Sequence, residues 1–258
     1  MKWVRTQALS GRLFGGAWLS LGSAITAEIA GRAGYDWLLI DMEHGCGDYG
    51  DLMRQMQALS ASSSGVIVRV PKADPSVFKR VLDMGPAGLM VPNVSSADMA
   101  GEVVRMARIR PGGDRGVAQT TRASGYGAEY EDYIASVNGG LLIVTQIESR
   151  RAVDEIDAIA AIDGVDVLFV GPLDLSIDLG VTHDSPEYAD AVQRVARAAR
   201  RHGKVAGVLV RNEQQAHTYI QQGYSFIAMG SDRGQVIKGM QENAMLFSNL
   251  RDSVREAG

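Results

Sequence analysis

The sequence predicts an α/β fold, a single (β/α)8 TIM barrel over residues 1–258, on three observations. Eight short apolar runs recur, helix-period segments separate them, and no linker, repeat or low-complexity tract divides the chain. Apolarity within the runs is continuous rather than alternating, as in parallel strands covered on both faces. A doubly wound open sheet is the lesser alternative.

The elements can be justified in order. The run 13–19 leads to a helix-period segment at 24–33, 37–40 to 49–59, 66–70 to 75–84, and 88–91 to 97–108. Residues 141–146 lead to 152–162, 165–170 to a short turn at 174–176 and then 188–202, and 205–210 to 213–222. The last run, 226–229, precedes a terminal helical pattern carrying Val236, Ile237, Met240, Ala244, Phe247, Leu250 and Val254 at three- and four-residue steps. Met245 and Leu246 widen its apolar stripe beyond what closing one barrel needs, which predicts a second partner for this helix and a homo-oligomer. One connection is anomalous: residues 111–140, with one helix expected near 129–137, are long enough to be a lid, a binding loop or an interface.

Composition excludes several classes. The chain is 46% hydrophobic and 22% charged with 30 Gly and 7 Pro, values that rule out disordered and fibrous proteins. A net charge of −4 and no basic run leave nothing to hold a phosphate backbone, so no nucleic acid partner is expected. No apolar run nears the roughly 20 residues of a membrane helix. Lys2 and Arg5 before an apolar stretch have the outline of a signal peptide, but Gly15, Gly16 and Gly22 interrupt it and Glu28 and Arg32 follow. With Cys46 as the only cysteine, a disulfide-free cytoplasmic protein is expected.

In a parallel barrel the active site forms at the C-terminal ends of the strands, and there the polar residues gather. The second run ends in Asp41-Met42-Glu43-His44-Gly45, the third in Arg69-Val70-Pro71, the fourth in Pro92-Asn93, the fifth in Gln146-Ile147-Glu148 and the sixth in Gly171-Pro172-Leu173-Asp174. Glu148 and Asp174 leave neighbouring strands and suit a hard divalent ion, Mg²⁺ or Mn²⁺ with Co²⁺ as a further candidate; the competing assignment is that each caps a helix or turn. His44 alone of four histidines sits at a strand end, where Asp41 could orient its ring and raise its basicity, unless the ring is merely buried against a backbone carbonyl. Arg69 closes an apolar strand, either holding a substrate carboxylate or enolate or pairing with Glu43 or Asp41. Gly171 to Asp174 offer the backbone N–H groups of Leu173 and Asp174 at a helix start. None of the five lysines clearly qualifies as a desolvated lysine at a strand end, which disfavours imine chemistry. Cys46 beside His44 is no evidence of a nucleophilic dyad.

The stretches 34–45, 68–71, 88–92, 113–116, 146–148, 165–176 and 226–230 resemble, in order and over nearly the whole chain, the class II pyruvate aldolases. That family contains 2,4-dihydroxyhept-2-ene-1,7-dioate aldolase and 2-dehydro-3-deoxyglucarate aldolase. The resemblance implies a barrel of the phosphoenolpyruvate/pyruvate-binding type that cleaves a 4-hydroxy-2-oxo acid to pyruvate and an aldehyde. It implies Glu148 and Asp174 as metal ligands, His44 as base, Arg69 as enolate stabiliser, and Gln146 and Leu173 as substrate contacts. It also implies that Asp83, at the wrong end of its own barrel, raises the basicity of a neighbouring subunit's histidine within a hexamer, a trimer of dimers, built by exchange of the last helix. Trp18, Leu19, Ser20 and the loop around Arg122 to Tyr126 are expected to shape the aldehyde side. The rival is a citrate-synthase-like or acyl-CoA lyase activity on the same scaffold.

Overall fold

A computed structural model describes residues 2–256. Its strands are β1 (Phe14–Leu19), β2 (Trp37–Asp41), β3 (Gly65–Arg69), β4 (Gly88–Val91), β5 (Leu142–Ile147), β6 (Val167–Val170), β7 (Val205–Val210) and β8 (Tyr224–Ser231). They close in sequence order into a barrel with every neighbour parallel. The helices are α1 (Arg5–Ala8), α2 (Ala24–Arg32), α3 (Tyr49–Ala58), α4 (Pro75–Asp83), α5 (Ala97–Ala107) and α6 (Tyr130–Gly140). They continue with α7 (Arg150–Asp154), α8 (Ile156–Ala160), α9 (Pro172–Leu179), α10 (Pro186–Arg201), α11 (Glu213–Gln221) and α12 (Asp232–Glu256). This is the expected TIM barrel.

Helix starts are written into the sequence. Asp48 and Asp51 form a reciprocal capping box on α3, Asp74 caps α4 ahead of Pro75, and Ser96, Ser149, Ser185 and Asn212 cap α5, α7, α10 and α11.

Side-chain alternation along the strands makes two cores. Trp18, Trp37, Leu39, Ile67, Met90, Val144, Val167, Phe169 and Phe226 fill the barrel, whereas Leu19, Leu38, Ile40, Val68, Leu89, Ile143 and Leu168 pack outward on the helices. The same parity, carried to the strand ends, puts Asp41, Arg69 and Gln146 on the inner side of the barrel's mouth.

Four local expectations need correction. The segment 152–162 is two short helices, α7 and α8, meeting at Glu155. The turn at 174–176 is the middle of a full helix, α9, opened by Pro172 and closed by Gly180 at φ 72°. The start of the run at 165–170 is not strand, since Asp166 takes Arg5 and the Ile143 N–H on the barrel's underside. Apart from these, helix α1, for which the sequence raised no expectation, sits beneath the barrel with Val4 and Ala8 in the inner core.

The fourth correction concerns function. The loop around Arg122 to Tyr126 does not border its own barrel's mouth: Arg122 donates to the carbonyls of Met84 and Met56, which belong to the C-terminal ends of α4 and α3 at the opposite end. Residues 111–140 are packed structure there, with Ile109, Ala123, Tyr133 and Val137 forming a small core of their own.

The last helix leaves the barrel. Met240, Met245, Leu246, Phe247, Leu250 and Val254 of α12 are each about three-fifths exposed or more. Among the described residues, these six side chains join none of the hydrophobic cores. Among the described residues no helix is long and apolar enough to cross a membrane.

Candidate active site

Register explains the first pair of functional side chains. Asp41 and Arg69 stand opposite each other at the ends of β2 and β3. Arg69 donates from Nε and Nη2 to the two Asp41 oxygens at 2.9 and 2.7 Å, and its Nη1 lies 2.9 Å from Glu43 Oε2. Its guanidinium also lies 5.7 Å from the Trp18 ring. Burial alone would lower the Arg69 pKa, but the hydrogen bonds and charge of Asp41, with Glu43 and Glu148, hold it above its ordinary value.

Asp41 is accordingly not placed as the sequence suggested. Its carboxylate serves Arg69, and Oδ1 also accepts from the backbone N–H groups of Glu43 and His44 at 3.1 and 3.2 Å. It orients the loop carrying His44 rather than the ring itself. The loop is tight: a Cβ on Gly45 would stand 1.9 Å from the Asp41 carbonyl oxygen, which requires glycine there. The His44 ring is exposed at the mouth, with Nε2 3.9 Å from Glu43 Oε2. Burial pushes the Glu43 carboxyl up despite the opposing charges of Arg69 and His44. Glu43 thus links Arg69 to His44.

The second cluster lies across the mouth on β5 and β6. Glu148 is buried, and its oxygens accept from the Gln146 side-chain amide at 2.9 Å and from the Asn93 backbone N–H at 2.8 Å. Asn93 makes that bond at φ 55°, a conformation asparagine tolerates better than most residues. The pairing register of β5 and β6 carries Glu148 beside Gly171. Any Cβ at 171 would come within 2.5 Å of Glu148 Oε1. Burial pushes the Glu148 carboxyl up to about 7, and the charges of Asp174 and Glu43 add to it against the Asn93 N–H and Arg69.

These residues fit a hard divalent cation. A buried carboxylate with a raised pKa, a second carboxylate whose charge reaches it, and a buried, unpartnered Gln146 Oε1 make a pocket short of positive charge. No group of three or more His, Cys, Asp or Glu converges among the described residues, so Glu148 and Asp174 would leave the remaining positions to substrate and water. The N–H groups of Leu173 and Asp174, in the first turn of α9 after Gly171, have no acceptor within the helix.

Asp83 ends α4, hence lies at the opposite end of the barrel from His44. Burial pushes its carboxyl up, against the charges of Arg115 and Lys79. The remaining histidines stay outside the cluster: His183 packs edge-on against Tyr188, His202 contacts Asp157, and His217 lies near Glu213. Glu43, which the sequence offered only as an ion-pair partner of Arg69, completes the mouth with Asn93 and with Arg233 of α12, neither of which the sequence assigned a role. For Glu43 and Asn93 the available signal was their position directly after a strand.

Comparison with known proteins agrees with the fold. The profile of the HpcH/HpaI aldolase/citrate lyase family matches residues 15–239. A 5-keto-4-deoxy-D-glucarate aldolase of Klebsiella pneumoniae subsp. pneumoniae is 41% identical over 234 residues, 90% of this chain and 91% of that protein. The solved structure of an HpcH/HpaI aldolase/citrate lyase family protein from Burkholderia cenocepacia J2315 superposes with a TM-score of 0.90 at 36% identity, covering 95% of this chain and 98% of that one. A citrate synthase, SbnG, superposes with a TM-score of 0.85 at 25% identity, covering 97% and 99%. Barrel, strand-end carboxylates and a match spanning seven of the eight strands in full and all but the first residue of the other lead to one conclusion: the chain belongs to the HpcH/HpaI aldolase/citrate lyase family of lyases.

Proposed function

We propose that the protein catalyses reversible, divalent-metal-dependent aldol cleavage of a 4-hydroxy-2-oxo acid to pyruvate and an aldehyde. The observation that carries this reading is the pair of clusters facing each other across one mouth, a buried carboxylate pocket on β5 and β6 and the linked Arg69, Glu43 and His44 on β2 and β3. The substrate named for the Klebsiella relative fits: counted from its keto-acid end, 5-keto-4-deoxy-D-glucarate is a 4-hydroxy-2-oxo acid with a second carboxylate.

Glu148 and Asp174 would hold the ion, with Mg²⁺, Mn²⁺ or Co²⁺ suited to the oxygen donors. When bound, it supplies Lewis acidity where negative charge develops on the 2-oxo acid. The N–H groups of Leu173 and Asp174 at the start of α9, following Gly171, bind the carboxylate, and Gln146 orients the keto end. His44 takes the proton from the C4 hydroxyl, directly or through one water. The C3–C4 bond then breaks, its electrons pass to the pyruvate enolate, and the C4 carbon leaves as the aldehyde. Arg69, fixed by Asp41, steadies the enolate charge until C3 is protonated. The unpartnered α12 supports a homo-oligomer, a hexamer in our reading, in which Asp83 of one subunit sits near His44 of another.

A lactate-dehydrogenase-coupled pyruvate assay tests the reading, over a panel of 4-hydroxy-2-oxo acids with Mg²⁺, Mn²⁺ or Co²⁺ restored after chelation. Pyruvate release that needs a divalent ion is expected. The likeness to citrate synthase SbnG favours a second reading, a citrate-synthase-like carbon–carbon enzyme. That reading predicts no pyruvate release and consumption of a 2-oxo diacid instead.

A further inference from the structure

The base of α12 is tied to the catalytic mouth far more closely than the rest of that helix is tied to anything. The Asp232 carboxylate accepts from the backbone N–H groups of Ser20, Leu21 and Arg233 and from the Thr26 hydroxyl. The next residue, Arg233, sends one guanidinium nitrogen to three acceptors: the Ser20 carbonyl at 2.9 Å, the His44 carbonyl at 3.2 Å and Cys46 Sγ at 3.3 Å. The Cys46 N–H closes the circuit onto the Ser20 carbonyl at 2.9 Å. The loop carrying His44 is therefore held on one side by Asp41, through the backbone N–H groups of Glu43 and His44, and on the other by Arg233, through the carbonyl of His44 itself.

No carboxylate lies within ion-pair distance of the Arg233 guanidinium among the described residues. Arg54, Arg150 and Arg201, by contrast, turn to acids. A half-buried guanidinium spent on two carbonyls and a thiol is an anchor for backbone, its one donating nitrogen bridging two loops at once. A base that must meet a substrate hydroxyl within hydrogen-bond reach depends on such an anchor, because a displacement of about 1 Å costs on the order of 10²-fold in rate.

We propose that Arg233 is a positioning residue for His44: it fixes the loop that presents the imidazole to the substrate hydroxyl, and touches no reacting atom. The proposal deepens the aldolase reading and rests on its assignment of His44 as base. It places the orientation of the base under the control of a helix whose remaining length the barrel does not hold.

The test compares Arg233→Ala, Arg233→Lys and His44→Ala with the wild-type protein, each shown by circular dichroism and light scattering to keep its fold and assembly. Two readouts are taken: steady-state pyruvate release, and backbone hydrogen exchange followed by mass spectrometry over residues 42–48. Arg233→Ala should lower kcat by about 10- to 100-fold with KM changed by no more than about twofold, and should speed exchange in that peptide. Arg233→Lys, with one ammonium able to reach a carbonyl, should recover part of both. A wild-type kcat in Arg233→Ala overturns the proposal, and so does a loss of kcat without faster exchange. Full activity in His44→Ala would instead refute the base assignment, while the exchange measurement would still report whether Arg233 holds the loop.

Discussion

Arg69 and Asp41 meet as a two-pronged ion pair, 2.9 and 2.7 Å, with both side chains almost sealed from solvent. Removing one member strands the other. Asp41→Ala should therefore destabilise the fold by about 3–5 kcal/mol, the range for an uncompensated buried charge. It should also depress pyruvate release, because Arg69 loses its orientation. Urea unfolding checks the first effect, and a change under about 1 kcal/mol would show that Glu43 alone suffices for Arg69.

Gly171 gives a prediction of the opposite kind. Its φ of −89° suits any residue, so Gly171→Ala costs little backbone strain, yet the new methyl would press on Glu148 Oε1. Metal affinity should fall by about 10- to 100-fold, as for other changes that displace a ligand from its orientation. Calorimetric titration with Mn²⁺ measures it; unaltered affinity would mean that Glu148 does not hold the ion.

The raised Glu148 carboxyl makes a statement about pH. Its pKa in the folded chain is about 7, above the ordinary carboxylate value, so the protonated form is favoured by folding. The stability this contributes is complete below about pH 4.3 and is lost as pH rises through 7. Metal-free protein should therefore show a falling Tm over that window, and Glu148→Gln should flatten the slope. A divalent ion displaces the proton, so its apparent affinity should climb as pH rises to about 7.

Subunit sharing can be tested by mixing. If Asp83 completes a neighbour's site, Asp83→Asn and His44→Ala chains, each weak alone, should recover part of the activity when refolded together, since one pairing restores an intact site. No recovery in proven mixed oligomers would confine Asp83 to its own chain.

Much of this was legible before folding. Strand ends announce themselves because an Arg, a Glu or an Asp closing an apolar run has no inexpensive place inside a core, and Glu148, Asp174, Arg69 and His44 all stand in that position. What sequence left open was partnership, since it offered Asp41 to both His44 and Arg69. Asp41 lies three residues from His44 and 28 from Arg69, and nearness along the chain favoured the wrong neighbour; the β2–β3 register decided for Arg69. The Arg122 loop shows the same limit, because its Gly-Tyr-Gly composition says that it turns but not at which end of the barrel. Arg233 was invisible for a third reason: it begins a helix whose pattern reads as packing, and its three acceptors come from two other loops.

The contact between Trp18 and Arg69 gives the protein a built-in optical probe. Of the three tryptophans, Trp3 stacks on Tyr133 at the far end and Trp37 is sealed in the barrel with its indole N–H on the Phe14 carbonyl. Trp18 alone lies under the guanidinium that would receive the developing charge, 5.7 Å from its ring. Any ligand that draws Arg69 toward itself alters the electric field across that indole. Fluorescence emission should therefore shift as the mouth fills, and the signal should vanish in Trp18→Phe, so that occupancy of the site can be followed in real time without turnover or label.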